Sequence, residues 1–176
     1  MGVKTKLFLA LLICVFGVLY QGDGVCMHVS WIYPYHNFTA MYQDSDIVIR
    51  GVQRTSFQPH VFKLRTYHQI TILEMIKGEK PAHVITVPQM GGYFLPGKLS
   101  EPASFPLYRK GDELILFLKQ SKKEYAVNTY YGGPQGSYKV LDGKVYPSGV
   151  IGYSALDSKG LDVDTFIEYL KVLGQN

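Results

Sequence analysis

The stretch that most constrains the fold begins at Ser45-Asp-Ile-Val-Ile-Arg-Gly51 and resumes at Ile70-Thr-Ile-Leu-Glu-Met-Ile-Lys-Gly78 and Val84-Ile-Thr-Val87. β-Branched residues at this density lose side-chain freedom in a helix and pack well on a pleated sheet. In Asp46–Val52, the residues Ile47, Ile49 and Gly51 fall on one face of a strand. In Thr66–Lys77, the same alternation groups Ile70, Ile72 and Ile76, with Leu73 and Met75 opposite. Apolar residues on both faces predict a strand covered on both sides, or one broken by a bulge. Glu74 shares the Ile70 and Ile72 face in this reading; if buried it needs a partner such as Arg50 or Arg65, and otherwise it makes a simple ion pair or lies at an exposed edge. Lys77-Gly-Glu-Lys-Pro81 is a turn, and His83–Pro88 is the next strand, with Pro88 expected to end regular pairing.

Gln89–Lys110 reads as a long connection punctuated by Gly91-Gly92, Pro96-Gly97, Pro102 and Pro106, and connections of this length are often functional. Leu114-Ile-Leu-Phe-Leu118 is apolar throughout, which predicts a central strand covered on both faces. Tyr125–Tyr131 is expected to form a further strand after the polar turn Gln120–Glu124. Ser137–Leu141 and Lys144–Tyr146 flank Asp142-Gly143, a tight-hairpin signal. The period then changes. Val163, Phe166, Ile167, Leu170 and Leu173 share one face of a helix that Asp162 can cap and Gly174 can end. These elements predict a mainly β fold: an OB-like, partly open Greek-key barrel over residues 45–150, with a C-terminal helix in 151–176 packed on it.

Residues 1–24 read as a signal peptide. Lys4 and Lys6 precede Leu7–Tyr20, an uncharged run of 14 residues, and polar Gln21-Gly-Asp-Gly24 follows. A membrane-spanning helix needs about 20 apolar residues, and small Gly22 and Gly24 suit a cleavage site after Gly24. The expected location is secreted or cell-surface, with membrane attachment only if this segment is kept. Residues 25–44 read as an irregular aromatic arm, which carries the glycosylation sequon Asn37-Phe-Thr39. Of the two cysteines, Cys14 lies in the apolar run and Cys26 remains alone, so no internal disulfide is expected and the core must hold the fold. Losing Lys4, Lys6 and Asp23 takes 18 basic and 14 acidic residues to 16 and 13. A net +3 gives no strong attraction to nucleic acid.

The order of Ser45–Gly51, Ile76-Lys-Gly78, Val84–Val87, Gly91-Gly92, Leu107–Leu118 and Gly136–Val140 resembles an uncharacterised family of exported bacterial and archaeal proteins, over roughly residues 45–147. That resemblance implies export and no particular activity. The first half is more weakly similar to the netrin-like OB domain of tissue inhibitors of metalloproteases. Those proteins bind the protease zinc through the amine and carbonyl of a mature N-terminal cysteine. The resemblance implies that Cys26 would stand in that place, although no second cysteine remains to hold it as in the inhibitors.

No nucleophile elbow, zinc-protease helix or phosphate loop occurs in the sequence, so no catalytic, metal or cofactor residues are assigned. Gly132-Gly-Pro-Gln-Gly136 reads as a turn. His28, His36, His60, His68 and His83 lack zinc-site spacing and read as surface residues. OB folds bind oligosaccharides on the barrel face. Tyr130, Tyr131 and Tyr138 either stack on such a ligand or pack in the core. The candidate binding residues are therefore Cys26, Tyr130, Tyr131 and Tyr138. The expected function is an exported, non-enzymatic binding or interaction module for a protein or cell-surface glycan. The alternatives are a metalloprotease-inhibitor-like protein acting through its mature N-terminus, and a hydrolase.

Overall fold

A computed structural model describes residues 35, 37–59, 65–95, 98–102, 105–120, 129–131, 133–148 and 160–175. The signal segment and Cys26 lie outside these residues. In chain order the elements are α1 (Phe38–Asp44), β1 (Ile47–Phe57), β2 (Arg65–Lys77), β3 (Val84–Met90), β4 (Gly92–Leu95) and β5 (Lys98–Ser100). They continue with β6 (Glu113–Gln120), β7 (Tyr130–Tyr131), β8 (Ser137–Leu141), β9 (Lys144–Pro147), β10 (Leu161–Asp162) and α2 (Val163–Leu173).

One antiparallel sheet runs in the order β10-β9-β8-β6-β1-β2-β3, with β7 paired to the end of β6 at Lys119 and Gln120. β4 and β5 form a separate hairpin. The sheet does not close. The β3 edge meets the β7 segment through a single parallel bridge, Thr86 to Thr129, among the described residues. The result is the mainly β, partly open fold with a C-terminal helix that the sequence predicts.

The apolar run Leu114–Leu118 sits at the centre of this sheet, with β1 on one side and β8 on the other. All five residues are buried. Alternate side chains enter two different cores. Leu114, Leu116 and Leu118 face the barrel interior with Ile47, Ile49, Ile70 and Ile85. Ile115 and Phe117 face outward, into a layer formed with α1, α2 and Tyr138. Each such side chain contributes about 1.5–3 kcal/mol through its burial. The Asp142-Gly143 turn joins β8 to β9 with φ of 49° and 73°, the positive pair that a tight hairpin needs. In α2, Val163, Phe166, Ile167 and Leu170 are buried as the spacing predicts, and Asp162 caps the first turn by accepting from the Thr165 amide at 3.0 Å.

Several expectations are corrected. The irregular arm contains a helix, α1. Its Asn37 side chain accepts from the Ala40 amide at 2.8 Å, and Phe38, Met41 and Tyr42 are buried beneath α2 and β6. Ile76 does not share the Ile70 and Ile72 face. The β1–β2 pairing slips between Arg50↔Glu74 and Gly51↔Ile72, which leaves Leu73 as a bulged, exposed residue. An extra residue reverses the alternation, so Ile76 joins the outer core while Ile70 and Ile72 stay inside. Glu74, by contrast, makes the simple ion pair expected of an unburied carboxylate, with Lys171 of α2 at 3.1 Å, and Arg50 pairs with Glu113 at 2.6 Å. β3 runs through Pro88, which stands opposite Tyr67, and continues to Met90. It lies at the sheet edge, where a missing N–H need not break the ladder. The long connection after Gln89 holds the β4–β5 hairpin.

The Lys77-Gly78 turn is a structural device. The Lys77 ammonium donates to the carbonyls of Tyr42, Gln43 and Ser45 at 2.5, 3.0 and 2.6 Å, and it lies 5.0 Å from the centre of the Tyr42 ring. A cation there satisfies carbonyls at the C-terminal end of α1 and opposes the helix dipole. Gly78 has φ +80°, and a Cβ there would stand 2.5 Å from the Asp46 carbonyl oxygen. We expect Lys77→Met to cost about 2 kcal/mol, the loss of charged hydrogen bonds to partly buried acceptors. Urea unfolding measures it, and a loss below about 0.5 kcal/mol, the size of ordinary surface substitutions, would contradict the role.

Candidate functional site

The barrel interior changes character along its length. One end is lined by Ile47, Ile72, Ile85 and Leu118. Towards the other end the interior positions of β1, β2 and β3 become polar: Gln53, Thr66, His68 and Gln89, all buried. That end opens into a cleft of about 220 Å³. Its walls are the end of β1 (Ser56, Phe57) with Gln58 just after it, β4 (Gly92, Tyr93) with Leu99, and the segment Leu107–Lys110. Thr66, His68 and Tyr108 complete the lining. The mouth of a β-barrel is a recurrent ligand site.

Backbone and amide contacts hold the walls. The Gln58 side chain donates to the Tyr93 carbonyl at 3.0 Å and accepts from the Tyr93 amide at 2.7 Å, which ties β1 to β4. Thr66 donates to the Gly91 carbonyl at 2.9 Å. A side chain at Gly92 would meet the Gln58 amide oxygen at 2.3 Å, so glycine is what permits this approach. Gln89 reaches across the interior and accepts from the Tyr108 amide at 2.9 Å. Glu101 accepts from the Leu107 amide at 3.0 Å and from Arg109 at 2.8 Å. The Tyr108 hydroxyl meets Ser137 Oγ at 2.8 Å. Burial pushes the Tyr108 hydroxyl well above the ordinary range, although its bond to Ser137 works the other way.

His68 is the unusual group. It is 1% exposed, and the Tyr108 ring stands against it at 5.1 Å, inclined by 60°. Neither ring nitrogen has a hydrogen-bond partner among the described residues. Burial lowers its pKa from 6.5 to about 4, and the Asp112 charge only partly offsets this. The ring is therefore neutral at physiological pH, with one nitrogen a donor and the other an acceptor. An unpaired buried polar group costs about 1–3 kcal/mol, and it calls for an explanation beyond packing.

Two of the rings singled out from sequence are placed elsewhere. Tyr130 is 4% exposed in the interior core, and Tyr138 is 1% exposed in the outer one, where its hydroxyl donates to the Gln135 carbonyl at 2.8 Å. Such rings offer no face to a sugar, so the stacking alternative gives way to packing at these two positions. The Tyr131 side chain and Cys26 lie outside the described residues. His68 is not a surface residue. Its signal lies in the alternation itself, which carried back from Ile72 and Ile70 puts His68 and Thr66 on the interior face. His83 is exposed as expected, and His28, His36 and His60 fall outside the described residues. Among the described residues no cluster of three or more histidine, cysteine or carboxylate side chains is positioned to hold a metal. No protein-family model matches the chain, and no curated protein is similar to it.

Proposed function

We propose that the protein is an exported, non-enzymatic binding module that holds the end of a glycan in the barrel mouth. The observation that carries this reading is His68, a buried neutral ring in the cleft wall whose two nitrogens have no hydrogen-bond partner among the described residues. A hydroxyl group, which donates and accepts, complements such a ring. Two exposed rings flank the opening, Phe57 at 48% and Tyr93 at 55%. Phe57 is braced by Tyr67, stacked at 5.4 Å and 15°, so its orientation is set before any ligand arrives. Rigid amphipathic surfaces of this kind gain contact area at small entropic cost. The hydroxyls of Tyr108 and Ser137 are occupied by each other, which leaves them as scaffold and favours binding over catalysis. Export rests on the Lys4–Gly24 pattern.

A glycan array probed with the native protein and with Tyr93→Ala tests the reading. Tyr93 is exposed, so its truncation leaves the fold intact. Binding of defined glycans by the native chain, weakened roughly tenfold by Tyr93→Ala, is expected for a lost aromatic contact of about 1–2 kcal/mol. Binding that Tyr93→Ala leaves unchanged, or an array with no bound glycan, would sink it.

A further inference from the structure

We infer that the mouth selects an acidic sugar, a hexuronate ring at the end of a glycan. This rests on the mouth being the binding site and adds the chemistry of its occupant. The cleft is smaller than the roughly 300 Å³ at which pockets for drug-sized ligands begin, so its 220 Å³ suits a single ring.

The charge pattern at the rim supplies the selectivity. Among the described residues no aspartate or glutamate lines the cleft, whereas Arg109 and Lys110 both do. The neighbouring carboxylates are already engaged: Glu101 with Arg109 at 2.8 Å, and Asp112 with Lys139 at 2.6 Å. Lys110 is exposed and has no ion-pair partner among the described residues, so its charge stands uncompensated at the opening. Arg109 keeps further N–H donors beyond the one given to Glu101, and its side chain is 58% exposed. A carboxylate at the rim would meet both cations. A pyranose carries that carboxylate on a ring whose C–H face fits Phe57 or Tyr93 and whose hydroxyls fit the neutral His68.

The competing occupants each leave part of the lining unused. A simple inorganic anion satisfies Lys110 but makes nothing of the aromatic walls or the imidazole. A neutral sugar uses the rings and His68 but leaves the rim cation unmatched.

The test is a titration of the purified protein, followed by amide shifts, with D-glucuronate, D-glucose and sodium acetate at constant ionic strength. Glucuronate should move the Gly92 and Tyr93 amides and bind about tenfold tighter than glucose, the size of one charge-assisted contact. Lys110→Gln should remove that advantage. Equal affinity for glucuronate and glucose overturns the acid preference while the mouth remains the site. Acetate binding as tightly as glucuronate overturns the sugar and leaves a plain anion site. If none of the three moves the Gly92 and Tyr93 amides, the inference fails, and the glycan array separately decides whether the mouth binds anything.

Discussion

Acidification from pH 6.5 to pH 4 should remove roughly 3 kcal/mol of stability through His68 alone. The folded-state pKa is lowered to about 4 from the ordinary 6.5, chiefly by burial, and the two values differ by roughly 3 kcal/mol of proton-binding free energy. The sign follows from proton counts. Between these pH values the unfolded chain binds the proton and the folded chain refuses it, so acid favours unfolding. The contribution is intact well above pH 6.5, falls away as pH drops through the window, and levels off about one unit below pH 4. His68→Leu should flatten this part of the pH profile. It should also leave stability at neutral pH unchanged or higher, because an apolar side chain there removes two unpaired nitrogens. Urea midpoints of both proteins across the window measure the effect. A native protein as stable at pH 4 as at pH 7 would contradict the burial of a neutral His68. A large loss of neutral-pH stability in His68→Leu would mean that the ring is a structural member and not a group kept for a ligand.

Phe166→Ala should cost about 3–5 kcal/mol, the range for emptying an aromatic site in a packed core. Phe166 is 1% exposed. Its ring lies 5.5 Å from Phe38 at 72° and 5.6 Å from Tyr138 at 57°, so it ties α2 at once to α1 and to β8. These three elements form the outer core that backs the sheet. Against a total stability of about 5–15 kcal/mol, the loss is large enough to loosen the C-terminal helix. The urea midpoint should fall, with α2 amides losing hydrogen-exchange protection first. A cost under about 1 kcal/mol would mean that α2 is not seated on the sheet as described.

The elements read well from sequence are those with a strong period or a strong turn. The Leu114–Leu118 run, the Asp142-Gly143 hairpin and the apolar face of α2 each carry their signal in neighbouring residues. What escaped depends on contacts distant in sequence. α1 is seven residues long, too short to show a period. Its stability comes from the Asn37 cap, the Lys77 ammonium and burial under Phe166. Alternation alone cannot say where an extra residue enters, so neither the Leu73 bulge nor the face of Ile76 beyond it follows from the sequence. Pro88 ends pairing inside a sheet but not at its edge, and an edge position is a property of the sheet and not of the strand.

The stretch from Ser45 to Gly78 is mostly scaffold in this chain. Ser45 donates to the Met41 carbonyl at 2.7 Å, and Asp46 accepts from the Gln120 amide at 2.7 Å. Arg50 pairs with Glu113, and Lys77 secures α1. Residues with such duties make a recognisable pattern and say little about a ligand. The cleft residues are spread over β1, β2, β4 and the Leu107–Lys110 segment, and none stands out alone. Only the inward register of β2 marks His68, and only the folded chain brings it to Tyr93 and Lys110 in one opening.

The most direct measurement is the NMR signal of the His68 imidazole during titration with a glycan that the array selects. Ring-nitrogen shifts that move with saturation, alongside the Thr66 and Gly92 amides, are expected if the ligand meets the unpaired nitrogens. A glycan that saturates the protein while the His68 ring signals stay fixed would place binding elsewhere and contradict the mouth as the site.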